Sequence, residues 1–92
     1  KVMKKYLISF YWDEDVNSES AVAIRSKIEQ ISPETWIQVF PNLLLIQSDR
    51  SIDDIYSEIK AVSSDKRIII TEVSDCITNE ERSNFLLKEY GY

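Results

Sequence analysis

The sequence predicts an α+β fold in which the elements follow the order strand, helix, strand, strand, helix, strand, with a further helix at the C-terminus. Stretches rich in β-branched and aromatic residues alternate with stretches whose isoleucines recur at helical spacing. The chain has 92 residues, of which 43% are hydrophobic. This length and composition fit a single domain over residues 1–92, with a core built between two layers.

The first strand is expected within residues 4–12. Tyr6 and Ile8 have one parity along this stretch, whereas Leu7 and Tyr11 have the other, so both faces of the strand are apolar. A strand with two apolar faces belongs in the middle of a sheet. We therefore predict that this strand has a neighbour on each side.

Two amphipathic helices are predicted from apolar residues at three-four-three spacing. Asn17 or Ser18 is the expected N-cap of the first helix, which Ser32 and Pro33 end, and Ser51 is the expected N-cap of the second. The first apolar stripe is Ala21, Ile24, Ile28 and Ile31, and the second is Ile52, Ile55, Ile59 and Val62.

The remaining strands are expected at residues 35–40, 43–46 and 67–73, and turn chemistry at Pro41 and Asn42 predicts a hairpin between the first two of these. The C-terminal helix is expected from about Asn79 to Tyr90. Thr78 and Glu81 have the spacing of a capping box, and Gly91 is the expected helix stop.

This order of elements is that of a ferredoxin-like βαββαβ sandwich, with a four-stranded antiparallel sheet in the spatial order 4-1-3-2 and both helices on one face. The core would span about residues 3–74, and residues 75–92 would form a helical extension. The second face of the sheet is expected to be apolar as well, and a lone soluble sheet does not leave such a face open. Either the C-terminal helix or a second subunit covers it, through Leu7, Tyr11, Phe85, Leu86 and Tyr90.

Missing residue types exclude several chemistries. The chain has no histidine, one glycine and one cysteine, so it cannot form a Ser-His-Asp nucleophile, a glycine-rich phosphate loop or a structural zinc site. A single free thiol suits a reducing compartment, and the cytoplasm is the expected location. No apolar run is long enough to cross a membrane. The net charge of −5 disfavours nucleic acid as a partner.

One group of acids could hold a metal ion. Residues 13–15 follow the first strand. We expect the first and third strands to run in the same direction, which would place Asp49 beside these residues. Asp13, Asp15 and Asp49 could then bind Mg²⁺, with Asp13 as the catalytic residue of a metal-dependent enzyme. No other cofactor is expected.

A structural role for the same acids is the alternative, and the one we prefer. The start of the fourth strand would lie beside them, so Lys66 and Arg67 could pair with them, while Lys4 and Lys5 would lie near Glu72 and Asp75 at the other end. Complementary charge at both ends would specify the register of the strands.

Structural roles are also preferred for the cysteine and the tryptophans. We interpret Cys76 as a small filler, and we interpret Trp12 and Trp36 as core residues rather than base-stacking platforms.

The stretch Tyr6-Leu7-Ile8-Ser9-Phe10, together with the segment from Leu44 through Ser51-Ile52-Asp53-Asp54-Ile55 to Val73, resembles the small SinR-like proteins, which are relatives of CRISPR-associated protein two. The resemblance implies a homodimer formed through the sheets, and an acid after the first strand near a metal. Asp13 is the matching position. An arginine- and glycine-containing pattern typical of those relatives is missing from this chain.

Three functions are compatible with these observations. The preferred hypothesis is a non-enzymatic, homodimeric interaction module, because the second sheet face is apolar and catalytic groups are scarce. The second is a Mg²⁺-dependent endonuclease or endoribonuclease that uses Asp13. The third is an acidic inhibitor that offers its carboxylates to a basic protein partner.

Overall fold

The computed structural model of the protein describes residues 3–11, 17–63 and 66–92. These residues form four strands and three helices in the predicted order. The elements are β1 (Lys4–Phe10), α1 (Glu19–Ile31), β2 (Ile37–Phe40), β3 (Leu43–Ser48), α2 (Ile52–Lys60), β4 (Ile68–Val73) and α3 (Glu81–Glu89).

The four strands form one antiparallel sheet in the order β2-β3-β1-β4, and this confirms the predicted α+β, ferredoxin-like arrangement. β1 lies between β3 and β4, as its two apolar faces require. The expectation that the first and third strands run in the same direction is wrong. Lys4 lies opposite Ser48 and Ser9 opposite Leu43, so β1 and β3 run antiparallel.

The first face of the sheet packs against α1 and α2. Each helix buries two isoleucines of its predicted stripe against the even-numbered residues of β1, and these side chains form one apolar cluster. Ile31 is only partly buried, and Ile52, at the start of α2, is 38% exposed, so its predicted place in the buried stripe is wrong. Trp36 packs against the same cluster, which confirms its role in the core. The buried members are Tyr6, Ile8, Phe10, Ala21, Ile24, Ile28, Leu44, Ile46, Ile55 and Ile59.

Two of the three predicted helix starts are confirmed. The hydroxyl of Ser18 accepts the N–H of Ala21, and the hydroxyl of Ser51 accepts the N–H of Asp54, so each satisfies a backbone donor of the first turn. The C-terminal helix, in contrast, begins at Glu81 and not at Asn79. The hydroxyl of Thr78 closes a turn onto the N–H of Glu80, and it is the Glu80 carboxylate that caps the helix, at 2.9 Å from the nitrogen of Ser83.

The second face of the sheet is partly covered by α3. Leu87 of α3 is buried against Ile37 of β2 and Leu45 of β3, and these three residues form a second apolar cluster. Half-buried side chains surround the cluster: Leu7, Val39, Val73, Cys76, Leu86, Tyr90 and Tyr92. The choice between the C-terminal helix and a second subunit is therefore settled for the β2 side of this face, where the helix provides the cover.

The C-terminal end of α3 is held in place by its backbone and by two long-range hydrogen bonds. The N–H of Tyr92 donates to the carbonyl of Leu87 and that of Gly91 to the carbonyl of Lys88, which together make a Schellman motif with Gly91 at a φ of 77°. Gln47 Nε2 donates to the carbonyl of Tyr90 at 3.1 Å, and the Tyr92 hydroxyl donates to the carbonyl of Thr35 at 2.6 Å. The predicted helix stop at Gly91 is confirmed.

We expect Gly91→Ala to lower the free energy of unfolding by about 1 kcal/mol, because a residue with a Cβ is strained at positive φ. No atom lies within 4 Å of the position a Cβ would occupy, so a steric clash adds nothing to this cost. Gly91→Asn is the matched control and should cost less, since asparagine tolerates the left-handed conformation. Urea unfolding measures both. Equal losses in the two variants would contradict this explanation.

The free energy of unfolding should fall at high pH because of the Tyr92 phenol. Burial raises the pKa of its phenol above the ordinary value of 10.0, so the unfolded chain loses this proton first as the pH rises. The group therefore costs no stability below about pH 10 and an increasing amount above it. Urea unfolding one pH unit below and one above 10 should show a smaller decrease for Tyr92→Phe than for the wild type. The same decrease in both proteins would contradict the prediction.

Candidate interaction surface

Part of the second sheet face is left uncovered beside α3. Tyr11, directly after β1, is 49% exposed, and Ile69 of β4 is 60% exposed. Ile69 lies opposite Ser9 in the β1–β4 register, two residue pairs from Tyr11 and therefore on the same face of the sheet. We call this region the open patch. Together with three neighbouring polar residues, it consists of Ser9, Tyr11, Asn42, Arg67 and Ile69.

The backbone of the open patch is held by hydrogen bonds on both sides. The N–H of Tyr11 donates to the carbonyl of Arg67 at 2.8 Å, which extends the β1–β4 pairing by one residue. The N–H of Phe10 donates to the carbonyl of Asn42 at 3.1 Å, and the Asn42 amide donates back to the carbonyl of Phe10 at 3.2 Å. The patch is therefore positioned by sheet structure rather than by a free loop.

The side chains of the open patch are also arranged by a direct contact. The guanidinium carbon of Arg67 lies 4.6 Å from the centroid of the Tyr11 ring, within the range of a cation–π interaction. An aromatic ring, an arginine and an exposed isoleucine therefore lie side by side. Tyrosine and arginine are the residue types that dominate binding energy at protein interfaces. None of the five patch residues is an acid or a thiol.

The five residues predicted for an interface divide into two groups. Leu7, Leu86 and Tyr90 pack around the second cluster and are used within the chain. Tyr11 and Phe85 are exposed, but Phe85 is 64% exposed on the side of α3 opposite the buried Ser83 and Leu87. Only Tyr11 of the predicted set thus lies on the uncovered part of the sheet. Sequence reasoning did not single out Ile69, because its position opposite Ser9 depends on the register of β4 with β1, which the strand order alone does not give.

Of the three predicted metal ligands, Asp49 alone lies in the described part of the chain. Asp49 follows Ser48, which lies opposite Lys4, so Asp49 is at the start of β1 and not at the end that follows Phe10. Its expected place beside the acids after the first strand was derived from the wrong strand direction. Asp13 and Asp15, like Glu14 and Trp12, lie outside the described residues. Within residues 3–11, 17–63 and 66–92, no three metal-ligating side chains form a group.

The structure bears on one end of the predicted charge match, because the acids at residues 13–15, expected beside Lys66 and Arg67 at the other end, lie outside the described residues. Lys5 is opposite Val73, with its Nζ 3.5 Å from the carbonyl of Ser74, and Glu72 is opposite Tyr6. Burial and, secondarily, the charge of Glu72 raise the pKa of the Tyr6 phenol. At the other end, Arg67 is paired with Tyr11.

Cys76 is half-buried beside the second cluster. Burial raises the pKa of its thiol, and the neighbouring Asp75 raises it further. A raised pKa keeps the sulfur protonated and weakly nucleophilic. This supports the interpretation of Cys76 as a small filler and not as a reactive residue.

Comparison with known proteins gave no relative: neither a family model, a curated protein nor a solved structure matches the chain. No helix in the described ranges is long and apolar enough to cross a membrane.

Alanine substitutions on the second face should lower the free energy of unfolding more at packed residues than at exposed ones. We expect Leu7→Ala to lower the free energy of unfolding by about 2 kcal/mol, because it removes a half-buried side chain from the second cluster. Tyr11→Ala should cost about 1 kcal/mol or less, chiefly the lost contact with Arg67. Urea unfolding of dilute protein measures both values. A larger loss for Tyr11→Ala than for Leu7→Ala would show that the assignment of these residues is wrong.

Proposed function

We propose that this protein is a non-enzymatic interaction module that forms a homodimer, with the open patch in the interface. The observation that carries the proposal is the pair Tyr11 and Ile69, which lie together on a sheet face, are held by the backbone of β1 and β4, and are exposed at 49% and 60%. An exposed apolar surface on a rigid sheet is typical of a binding site. Because the backbone of the patch is already ordered, the entropic cost of ordering it on binding is small.

The coverage of the rest of the second face supports this choice. The C-terminal helix packs on the β2 side through Leu87, so the chain uses its own residues to exclude water there. The β1–β4 side retains its apolar side chains without such cover from the described elements. A second copy of the chain is the occupant we favour, since the resemblance to small SinR-like proteins also implies a dimer formed through the sheets.

The other two functions stay predictions. The nuclease hypothesis depends on Asp13, which lies outside the described residues, and on the resemblance; Mg²⁺ would be needed only in that case. The inhibitor hypothesis depends on the net charge of −5 and a basic partner. The cytoplasmic location expected from the single cysteine likewise stays a prediction.

Oligomeric state tests the proposal. Sedimentation velocity over a range of concentrations should show a reversible dimer for the wild type and a monomer for Ile69→Asp, because the substitution places a charge in the open patch. Ile77→Asp is the matched control: Ile77 is 92% exposed and lies in the segment between β4 and α3, outside the patch. It should dimerise like the wild type.

Two outcomes would contradict the proposal. One is a wild-type protein that stays monomeric at every concentration reached. The other is an Ile69→Asp variant that dimerises as strongly as the wild type. Circular dichroism should show that both variants keep the wild-type secondary structure, so that loss of the dimer is not a consequence of unfolding.

A further inference from the structure

The two edges of the sheet differ in how well they are protected. β2 has four residues, has an irregular register with β3 between Gln38 and Phe40, is followed by Pro41, and packs beside α3. These are the features by which proteins prevent an edge strand from pairing with another chain. β4 has six residues and is regularly paired with β1, and it contains neither proline nor glycine.

The pairing of β4 with β1 determines which of its backbone groups face outward. The N–H of Tyr11 donates to the carbonyl of Arg67, so Arg67, Ile69 and Thr71 direct their backbone groups toward β1. The backbone groups of the intervening residues, Ile68, Ile70 and Glu72, consequently point away from the sheet. Among the backbone hydrogen bonds of the described residues outside regular elements, none ends on these groups. Within residues 3–11, 17–63 and 66–92, these groups are available to pair with another strand.

The side chains of β4 select one register for pairing with a copy of itself. In an antiparallel pair related by a two-fold axis and centred on Ile69, Ile69 lies opposite its own copy and Ile68 lies opposite Ile70. Lys66, two residues before β4, then lies opposite Glu72 of the other copy. Apolar residues thus meet apolar residues, and a cation meets an anion at each end.

Neighbouring registers lack this complementarity. Centring the pair on Ile70 places Ile68 opposite Glu72, and centring it on Ile68 places Lys66 opposite Ile70. In each case a charged side chain lies opposite an isoleucine, which is less favourable than either matched pair. The charges at the two ends would therefore specify the register as well as stabilise it. Lys66 also takes part in an interaction within its own chain, so the intermolecular contact would add to an existing one.

We propose that two copies of this chain pair edge to edge through β4, in the antiparallel register centred on Ile69, and form one continuous eight-stranded sheet. This inference rests on the proposed function, because it specifies how the homodimer is built. Each Ile68–Ile70 pair exchanges backbone hydrogen bonds across the interface. The two open patches become continuous, since Ile69 of each copy lies at the two-fold axis with Tyr11 beside it.

Charge exchange tests the register directly. Lys66→Glu puts two glutamates opposite each other at both ends of the interface, and Glu72→Lys puts two lysines there. Each single variant should have a dissociation constant raised about ten-fold or more, because two favourable pairs become repulsive. An equimolar mixture of the two single variants should form a heterodimer, since every charged pair in it is again of opposite sign. The double variant should dimerise like the wild type.

Lys88→Glu and Glu89→Lys are the matched controls, because they make the same charge changes at exposed positions of α3. They should keep the wild-type dissociation constant, and their mixture should behave like each variant alone. Sedimentation velocity measures all of these. Hydrogen exchange gives a second readout: the amides of Ile68 and Ile70 should exchange more slowly as the protein concentration rises.

The outcomes distinguish this inference from the proposed function. A wild-type dimer whose single charge variants dimerise unchanged would overturn edge pairing but leave a homodimer that uses the open patch in another way. A wild type that is monomeric throughout would overturn both. Weakened single variants that fail to recover on mixing would also overturn the register, since loss without recovery points to damage within the monomer.

Discussion

The central constraint in this structure is that the sheet has two apolar faces and the two crossover helices can cover only one of them. Ile8 of β1 lies under α1 and α2, whereas Leu7, the next residue along the strand, points to the other side. Alternation along a strand makes this unavoidable, because successive side chains leave the sheet on opposite faces. The C-terminal helix covers part of the second face, and its position determines which residues of that face remain exposed.

The position of α3 depends on a few specific contacts near its C-terminus. Gln47, on β3, holds the carbonyl of Tyr90, and Tyr92 reaches the carbonyl of Thr35 in the segment before β2. Both contacts lie on the β2–β3 side, so Leu87 is buried there. A helix of nine residues is too short to cover the whole face from that position. Exposure of the β1–β4 side is thus a consequence of where the helix is anchored.

The sequence was sufficient for the features that depend on local periodicity and insufficient for those that depend on distant contacts. Isoleucine spacing located α1 and α2, and the two-sided apolar character of β1 placed it inside the sheet. The start of α3 was placed too early because the Thr78 hydroxyl accepts the N–H of Glu80 before the helix, while the Glu80 carboxylate accepts the N–H of Ser83 and caps the helix. Asp49 was misplaced because strand direction was inferred incorrectly. Leu86 and Tyr90 pack against the second cluster, whereas Phe85 does not. This arrangement depends on the contacts of Gln47 and Tyr92, which no local pattern shows.

The open patch and the unprotected sheet edge are two aspects of one strand. Ile69 has its side chain on the uncovered face, while the backbone groups of its neighbours Ile68 and Ile70 point out of the edge. A face and an edge that are open at the same strand can be covered by one partner, whereas β2 has its face covered by α3 and its edge interrupted. This asymmetry gives the sheet one closed side and one open side. With one open side per chain, two-fold pairing through β4 would close the assembly at a dimer, because its two outer edges would be the short and irregular β2 strands.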